Sequence, residues 1–169
     1  MMETDAYGKK VLYVEPGHSL CTNEPVILKA VVGSCVVVCL YELEMQFGGM
    51  AHFKWPLVRD PSSATTRYGN VATGDLIRMM LEAGGEAETL RAQIIGGAAA
   101  GPGEEEVGKD NVSAARGVLE RAGIPIASED VGGLLGRKVA FDVTSGQVAV
   151  LKVHQLRESD WLRDAESVD

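Results

Sequence analysis

The sequence predicts an α/β chain of the α+β type, mixed and largely antiparallel, and three observations carry that prediction. Short β-branched apolar runs, such as Val36 to Tyr41, recur between turn-forming residues. Two stretches have the apolar spacing of amphipathic helices, but strands and helices do not alternate as a regular βαβ series would, which disfavours a doubly wound parallel sheet. Near the end, two strand-like runs flank Thr144-Ser145-Gly146, a three-residue hairpin with glycine available for a positive φ.

Taken in order, Val11-Leu12-Tyr13-Val14 and Val26-Ile27-Leu28 read as short strands. Val36 to Tyr41 has the pattern of a strand covered on both faces. Phe47 to Trp55 is a second strand, with Gly48 and Gly49 permitting close backbone approach. Arg59 to Thr66, rich in Pro, Ser and Thr, reads as a surface loop. Thr73 can cap a helix with Leu76, Ile77, Met80 and Leu81 on one stripe, stopped by Gly84-Gly85. Leu90 to Ile95 is strand-like and leads into a glycine-rich loop. Asp110 or Asn111 can cap a second helix, with Val112, Ala115, Val118, Leu119 and Ala122 inward and Gly123 and Pro125 at its end. Lys138 to Val143 and Gln147 to Val153 form the closing hairpin.

The length of 169 residues predicts one domain over 1–169, with a core over about 11–156 and an acidic tail over 157–169. A chain of that size buries roughly two-thirds of its unfolded surface without staples. A formal charge of −8 argues against nucleic acid or an anionic membrane surface as a partner, since both call for a basic face. The acid is partly local, in Glu104-Glu105-Glu106 and from Glu158 to Asp169, and reads as solvated surface. No membrane insertion is expected: the start is acidic without an apolar core, and Ala30 to Tyr41 is shorter than the ~20 residues a spanning helix needs. Three cysteines, an odd number, fit reduced thiols in the cytoplasm better than a disulfide framework. With no Cys-x-x-Cys and no ligand spacing among His18, His52 and His154, no metal site is expected, and no cofactor is expected either. The loop Gly96 to Gly103 lacks the lysine of a phosphate cradle, Pro102 removes an N–H, and three glutamates follow where they repel an anion. Glycines packing close to an active site, or a mobile loop, describe it better.

Chemistry concentrates at Cys35. It sits in Val32-Gly33-Ser34-Cys35, where Gly-Ser breaks an apolar run, and His52 follows seventeen residues later in Gly48-Gly49-Met50-Ala51-His52-Phe53. A reactive thiol needs a base beside it and small neighbours that admit a substrate backbone. Two strands with a reversal between them place Cys35 and His52 side by side. A free cysteine is also among the most buried residue types, so an inert core thiol beside a core histidine is the competing reading. Cys21 and Cys39 read as structural, although Cys39, four residues after Cys35, shares its strand face.

Gly33-Ser34-Cys35-Val36, Cys39-Leu40-Tyr41, Gly48 to Phe53 with Pro56, Arg67-Tyr68-Gly69, Gly96-Gly97-Ala98, Val107-Gly108 with Asn111, and Glu129 to Gly133 with Gly136 to Val139 occur in the order seen in one family. From about Tyr13 to Val153 the chain resembles the chemoreceptor glutamine deamidases of the CheD family. The resemblance implies a layered β-sandwich flanked by helices, akin to the cytotoxic-necrotising-factor deamidase domain. It also implies a cysteine amidohydrolase that converts glutamine side chains of methyl-accepting chemotaxis receptors to glutamate, releasing ammonia. Cys35 is then the nucleophile, His52 the base, and Gly33, Ser34 and Gly49 the near-site residues around the oxyanion. The implied partners are receptor cytoplasmic helices and a CheC-type phosphatase.

One position departs from that pattern. The family's threonine six residues before the nucleophile, which orients the histidine, is replaced by Lys29, and a nearby glycine by Val31. An ammonium has three donors and no acceptor, so it cannot receive an imidazole N–H. Three readings follow: Lys29 points elsewhere and a backbone carbonyl orients His52; Lys29 lowers the Cys35 pKa; or the chain is a weakly active or non-catalytic adaptor.

Overall fold

The computed structural model describes residues 3–99 and 101–154, so the acidic tail expected over 157–169 lies outside the described residues. In chain order come β1 (Lys10–Tyr13), β2 (His18–Thr22), β3 (Val26–Val32), β4 (Val36–Glu42), β5 (Phe47–Phe53), α1 (Gly69–Glu82), β6 (Leu90–Gly96), α2 (Glu105–Arg121), β7 (Ile126–Val131), β8 (Gly136–Asp142) and β9 (Val148–Val153). They build a four-stranded sheet in the order β1-β3-β8-β9 and a five-stranded sheet in the order β2-β5-β4-β6-β7. Every neighbouring pair is antiparallel except β1–β3 and β6–β7. The fold is the mixed, largely antiparallel α+β arrangement that the sequence predicts.

The five-stranded sheet is the middle layer, which explains why β4 and β5 read as continuous apolar runs. One face, with Val36, Val38, Leu40, Ala51 and Phe53, packs under Leu76 and Met80 of α1 and Val112 and Leu119 of α2. The other, with Val37, Cys39, Met50 and Ile95, meets Leu28, Ala30, Val32, Val139 and Phe141 of the smaller sheet. Each large side chain removed from water here contributes roughly 1.5–3 kcal/mol.

The helix starts differ from the sequence reading, and the reasons are tertiary. Helix α1 begins four residues before Thr73, after Tyr68, with no side-chain cap. Its start is set by docking: Gly69 N–H donates to the Trp55 carbonyl at 2.7 Å and lies so close to the Phe53 ring that a Cβ would come within 2.5 Å. Thr73 is inside the helix and buried, and Leu81 is 43% exposed rather than inward. Helix α2 begins at Glu105, where Glu105 and Glu106 complement the positive helix end, so Asp110 and Asn111 fall in its second turn instead of capping it. Ala122, expected inward, is exposed. Strands β2 and β7 lie at the two edges of the larger sheet, and their polar residues gave no strand pattern. The closing hairpin turns through Thr144-Ser145-Gly146 as expected, with Gly146 at φ +78°.

Candidate active site

Antiparallel pairing sets Val37 of β4 opposite His52 of β5, and Val36 opposite Phe53. Cys35, one residue before β4, is two residues from Val37 and packs against the same inter-sheet cluster. Cys35 and His52 are therefore diagonal neighbours on one sheet face, the relation that places Cα atoms roughly 7–8 Å apart and longer side chains within reach. The seventeen-residue spacing is the length of this strand reversal. Cys39 shares the face but is fully buried opposite Met50, whereas Cys35 at the strand end is half-buried. Cys21 faces α1, its Sγ 3.4 Å from the Met80 sulfur.

His52 is buried, and its Nδ1 lies 2.8 Å from the Val14 carbonyl oxygen. A carbonyl only accepts, so Nδ1 carries the proton and Nε2 presents its lone pair. Among the described residues, Nε2 is buried without a hydrogen-bond partner. Burial pushes the imidazole down to about 4, the Val14 bond opposing and the nearby His18 adding to the shift. Burial pushes the Cys35 thiol up to about 11; Lys54 pulls it down and Glu104 pushes it further up, while the Cys35 backbone N–H favours the thiolate. Near neutral pH the two groups rest as thiol and neutral imidazole.

The nucleophile loop is held by its carbonyls. Gly33 O accepts from Ala98 N–H at 2.9 Å and Cys35 O from Gly97 N–H at 2.9 Å. Between them, Ser34 O accepts from Asn111 Nδ2 at 2.9 Å, and the same Nδ2 donates to Lys54 O at 3.0 Å. Gly97, at φ +68°, is wedged against Gly108 of α2, whose own Cβ would sit 2.5 Å from the Gly97 oxygen. These glycines let α2 press directly on the loop that carries Cys35, so the Gly96-Gly97-Ala98 segment packs at the site.

Lys29 does not stand at the imidazole. Its neighbours Leu28 and Ala30 point into the inter-sheet core, while Lys29 lines a cavity on the outer face of the smaller sheet with Tyr13, Val31 and Lys138. Its contribution to the site is through the backbone: Lys29 O accepts from Val14 N–H at 2.9 Å, steadying the residue whose carbonyl holds His52. Gly49 also has another use. A Cβ there would meet the Leu20 carbonyl at 2.6 Å and Leu76 at 2.7 Å, so its smallness lets α1 close on the sheet.

Sequence reasoning assigned no site role to Val14, Asn111, Lys54 or Glu104. A carbonyl leaves no side-chain signature, so Val14 had no signal. Asn111 had one: it falls on the stripe of Gly108, Val112, Ala115 and Leu119, where a lone carboxamide among inward residues marks a buried polar contact. Among the described residues, no three His, Cys, Asp or Glu side chains converge as a metal site requires. No helix among them is long and apolar enough to cross a membrane.

The family model described as CheD chemotactic sensory transduction matches residues 57–152, a span that begins beyond Cys35 and His52. A probable chemoreceptor glutamine deamidase CheD of Sulfurimonas denitrificans is 33% identical over 153 residues, covering 88% of this chain and 97% of that protein. The probable CheD 1 of Anaeromyxobacter dehalogenans is 38% identical over 143 residues, 82% of each chain. The probable CheD of Methanococcus vannielii is 32% identical and covers 87% of this chain and 98% of its own. The crystal structure of Bacillus licheniformis hypothetical protein YfiH matches with a TM-score of 0.46 and 19% identity over 66% of this chain and 49% of that one, too distant for any argument to rest on it. With the family model matching more than half of its length and relatives at a third identity matching nearly all of it, the chain belongs to the CheD family.

Proposed function

We propose that this chain deamidates glutamine side chains of chemotaxis receptors on their cytoplasmic helices, with the Cys35 thiol as nucleophile and His52 as general base. The observation that carries this reading is the state of His52. Val14 holds Nδ1–H, and Nε2, buried and without a hydrogen-bond partner among the described residues, presents its lone pair on the sheet face that bears Cys35. The names of the relatives supply the substrate class.

The reaction follows from these groups. As the Cys35 sulfur attacks the carboxamide carbon, His52 Nε2 takes the thiol proton. The carbonyl π electrons move onto oxygen, and N–H groups of the Gly33-Ser34-Cys35 loop stabilise that oxyanion, each donor worth about 3 kcal/mol. Collapse expels ammonia as the imidazolium returns its proton to the leaving nitrogen, and a thioester remains. Water, deprotonated by His52, attacks the thioester, and the thiolate leaves and recovers its proton. Glutamine and water become glutamate and ammonia. Because the resting pair is neutral, His52 acts as a base during attack and does not hold a standing thiolate.

That same neutrality supports a second reading, a weakly active or non-catalytic adaptor that binds receptors or a CheC-type phosphatase. Ammonia release from a receptor cytoplasmic fragment separates the two. Release by the wild type and none by Cys35→Ala supports the hydrolase, whereas receptor binding with no release by the wild type supports the adaptor.

A further inference from the structure

We infer that Asn111 is a positioning residue for this chemistry: it fixes the Ser34–Cys35 peptide so that the Cys35 N–H faces the substrate oxyanion, and ties that peptide to the strand that carries His52. The inference rests on the Cys35–His52 reading above.

Both of its contacts, Ser34 O and Lys54 O, are carbonyl oxygens that only accept, so the carboxamide nitrogen must face them. Lys54 follows His52 by two residues, and Ser34 precedes Cys35 by one. One side chain thus spans the two segments whose spacing decides whether thiol and imidazole meet. A trans peptide is planar, with its C=O and N–H pointing opposite ways. Drawing Ser34 O toward α2 therefore turns the Cys35 N–H away from the helix. The flanking carbonyls of Gly33 and Cys35 are held by Ala98 and Gly97 N–H groups, and Asn111 adds a side-chain restraint between them. The residue also has a cost: its Oδ1 is buried without a partner among the described residues, on a helix stripe otherwise built from Gly, Val, Ala and Leu. Its Nδ2 offsets that cost by satisfying two main-chain carbonyls that an apolar side chain would leave without this donor.

The test uses the full chain and a chemoreceptor cytoplasmic fragment, with steady-state ammonia release, iodoacetamide alkylation of Cys35, and circular dichroism to report folding. Asn111→Leu is expected to lower kcat by about 10- to 100-fold, below the full loss of an oxyanion donor, with KM within about threefold. Alkylation forms no oxyanion and should slow far less than kcat. Asn111→Asp keeps one donor while its buried carboxyl is protonated and none once ionised. Its kcat should fall as pH rises through the raised carboxyl pKa, over a range where the wild type does not change. The Asp variant decides the matter if the Leu variant does not fold. A folded Asn111→Leu with kcat within twofold of wild type overturns the inference, as does an Asp variant with the wild-type pH profile. So does alkylation that falls in step with kcat, which would mean the thiol itself had moved. If Cys35→Ala still deamidates, the thiol reading fails and this inference with it. If Cys35→Ala is inactive while the Asn111 variants turn over normally, only this inference fails.

Discussion

The middle of the β4–β5 ladder and its end differ in what holds the backbone, and that difference separates a core from a site. In the middle, Cys39 and Met50 face each other, fully buried, their backbones paired with strands on both sides. At the end, Cys35 occupies the same sheet face, but its loop carbonyls are held by α2 and by the segment after β6. One sulfur is a small hydrophobe. The other is half-buried on the sheet face of His52, whose Nε2 has no hydrogen-bond partner among the described residues. Under the proposed mechanism, the reactive thiol is the one where the strand stops and side chains and glycines take over the backbone.

Making the same substitution at both positions sharpens that contrast most. Cys35→Ser should abolish ammonia release while shifting the urea midpoint little, because Cys35 is only half-buried. Cys39→Ser should leave turnover near wild type and lower stability by roughly 1–3 kcal/mol, the penalty for burying a hydroxyl. Comparable turnover in the two variants would remove the distinction between ladder middle and ladder end.

His52 comes next in size. Replacing it with Gln should lower turnover by roughly 10²–10⁴-fold, the contribution of a positioned base. It should also change how stability depends on pH. Folded His52 sits near 4 against an ordinary 6.5, so the unfolded chain takes up this proton first as pH falls. Its stabilising effect is complete above about 6.5 and lost progressively towards about 4, roughly 3 kcal/mol in all. Urea midpoints at pH 7.5 and 4.5 should therefore converge in His52→Gln relative to wild type. An unchanged gap would mean that His52 titrates normally in the folded protein.

Much of this site was legible in the sequence, and the part that was not has a common cause. The Cys35–His52 pairing could be read because strand geometry is periodic: two apolar segments seventeen residues apart, with a reversal between them, bring both residues to one face. The layers could be read from Val36 to Tyr41, apolar on both faces because both are covered. Asp110 or Asn111 reads as a cap because both residue types are favoured there, whereas tertiary contact with Ser34 and Lys54 decides the place of Asn111. Val14 was invisible because a carbonyl acts regardless of its side chain. Edge strands β2 and β7 carry exposed polar residues, so their pairing is set by their neighbours more than by their own pattern.

The two charges that bear on the thiol give a smaller effect. Lys54 draws the Cys35 thiol pKa down and Glu104 pushes it up, against the larger effect of burial. Lys54→Met should slow iodoacetamide alkylation of Cys35 at pH 8 by a few-fold, and Glu104→Gln should speed it by a similar factor. Lys54 is exposed and stacks 5.3 Å from the Trp55 ring centre, so its influence is screened, and added salt should shrink both differences. Differences that persist in high salt would point to direct contact instead of a through-space field.

The smallest effect is expected at Lys29, where the family pattern suggests the largest. The family's threonine at this position orients the histidine, and a lysine there looks like a damaged triad. In this chain the imidazole N–H goes to the Val14 carbonyl, and Lys29 accepts the Val14 N–H with its own carbonyl. Both links are main-chain, and any residue that keeps β3 paired with β1 preserves them. Its side chain lies on the outer face of the smaller sheet, away from the face that carries Cys35 and His52. Lys29→Thr should therefore change single-turnover ammonia release by less than about twofold, because misorientation costs, which reach roughly 10⁴-fold in a serine protease triad, arise only when the orienting acceptor is lost. A large gain in the threonine variant would show that a hydroxyl at position 29 can take the imidazole proton from Val14, and that the carbonyl is the poorer partner. A large loss would show that the ammonium acts on the site across the sheet.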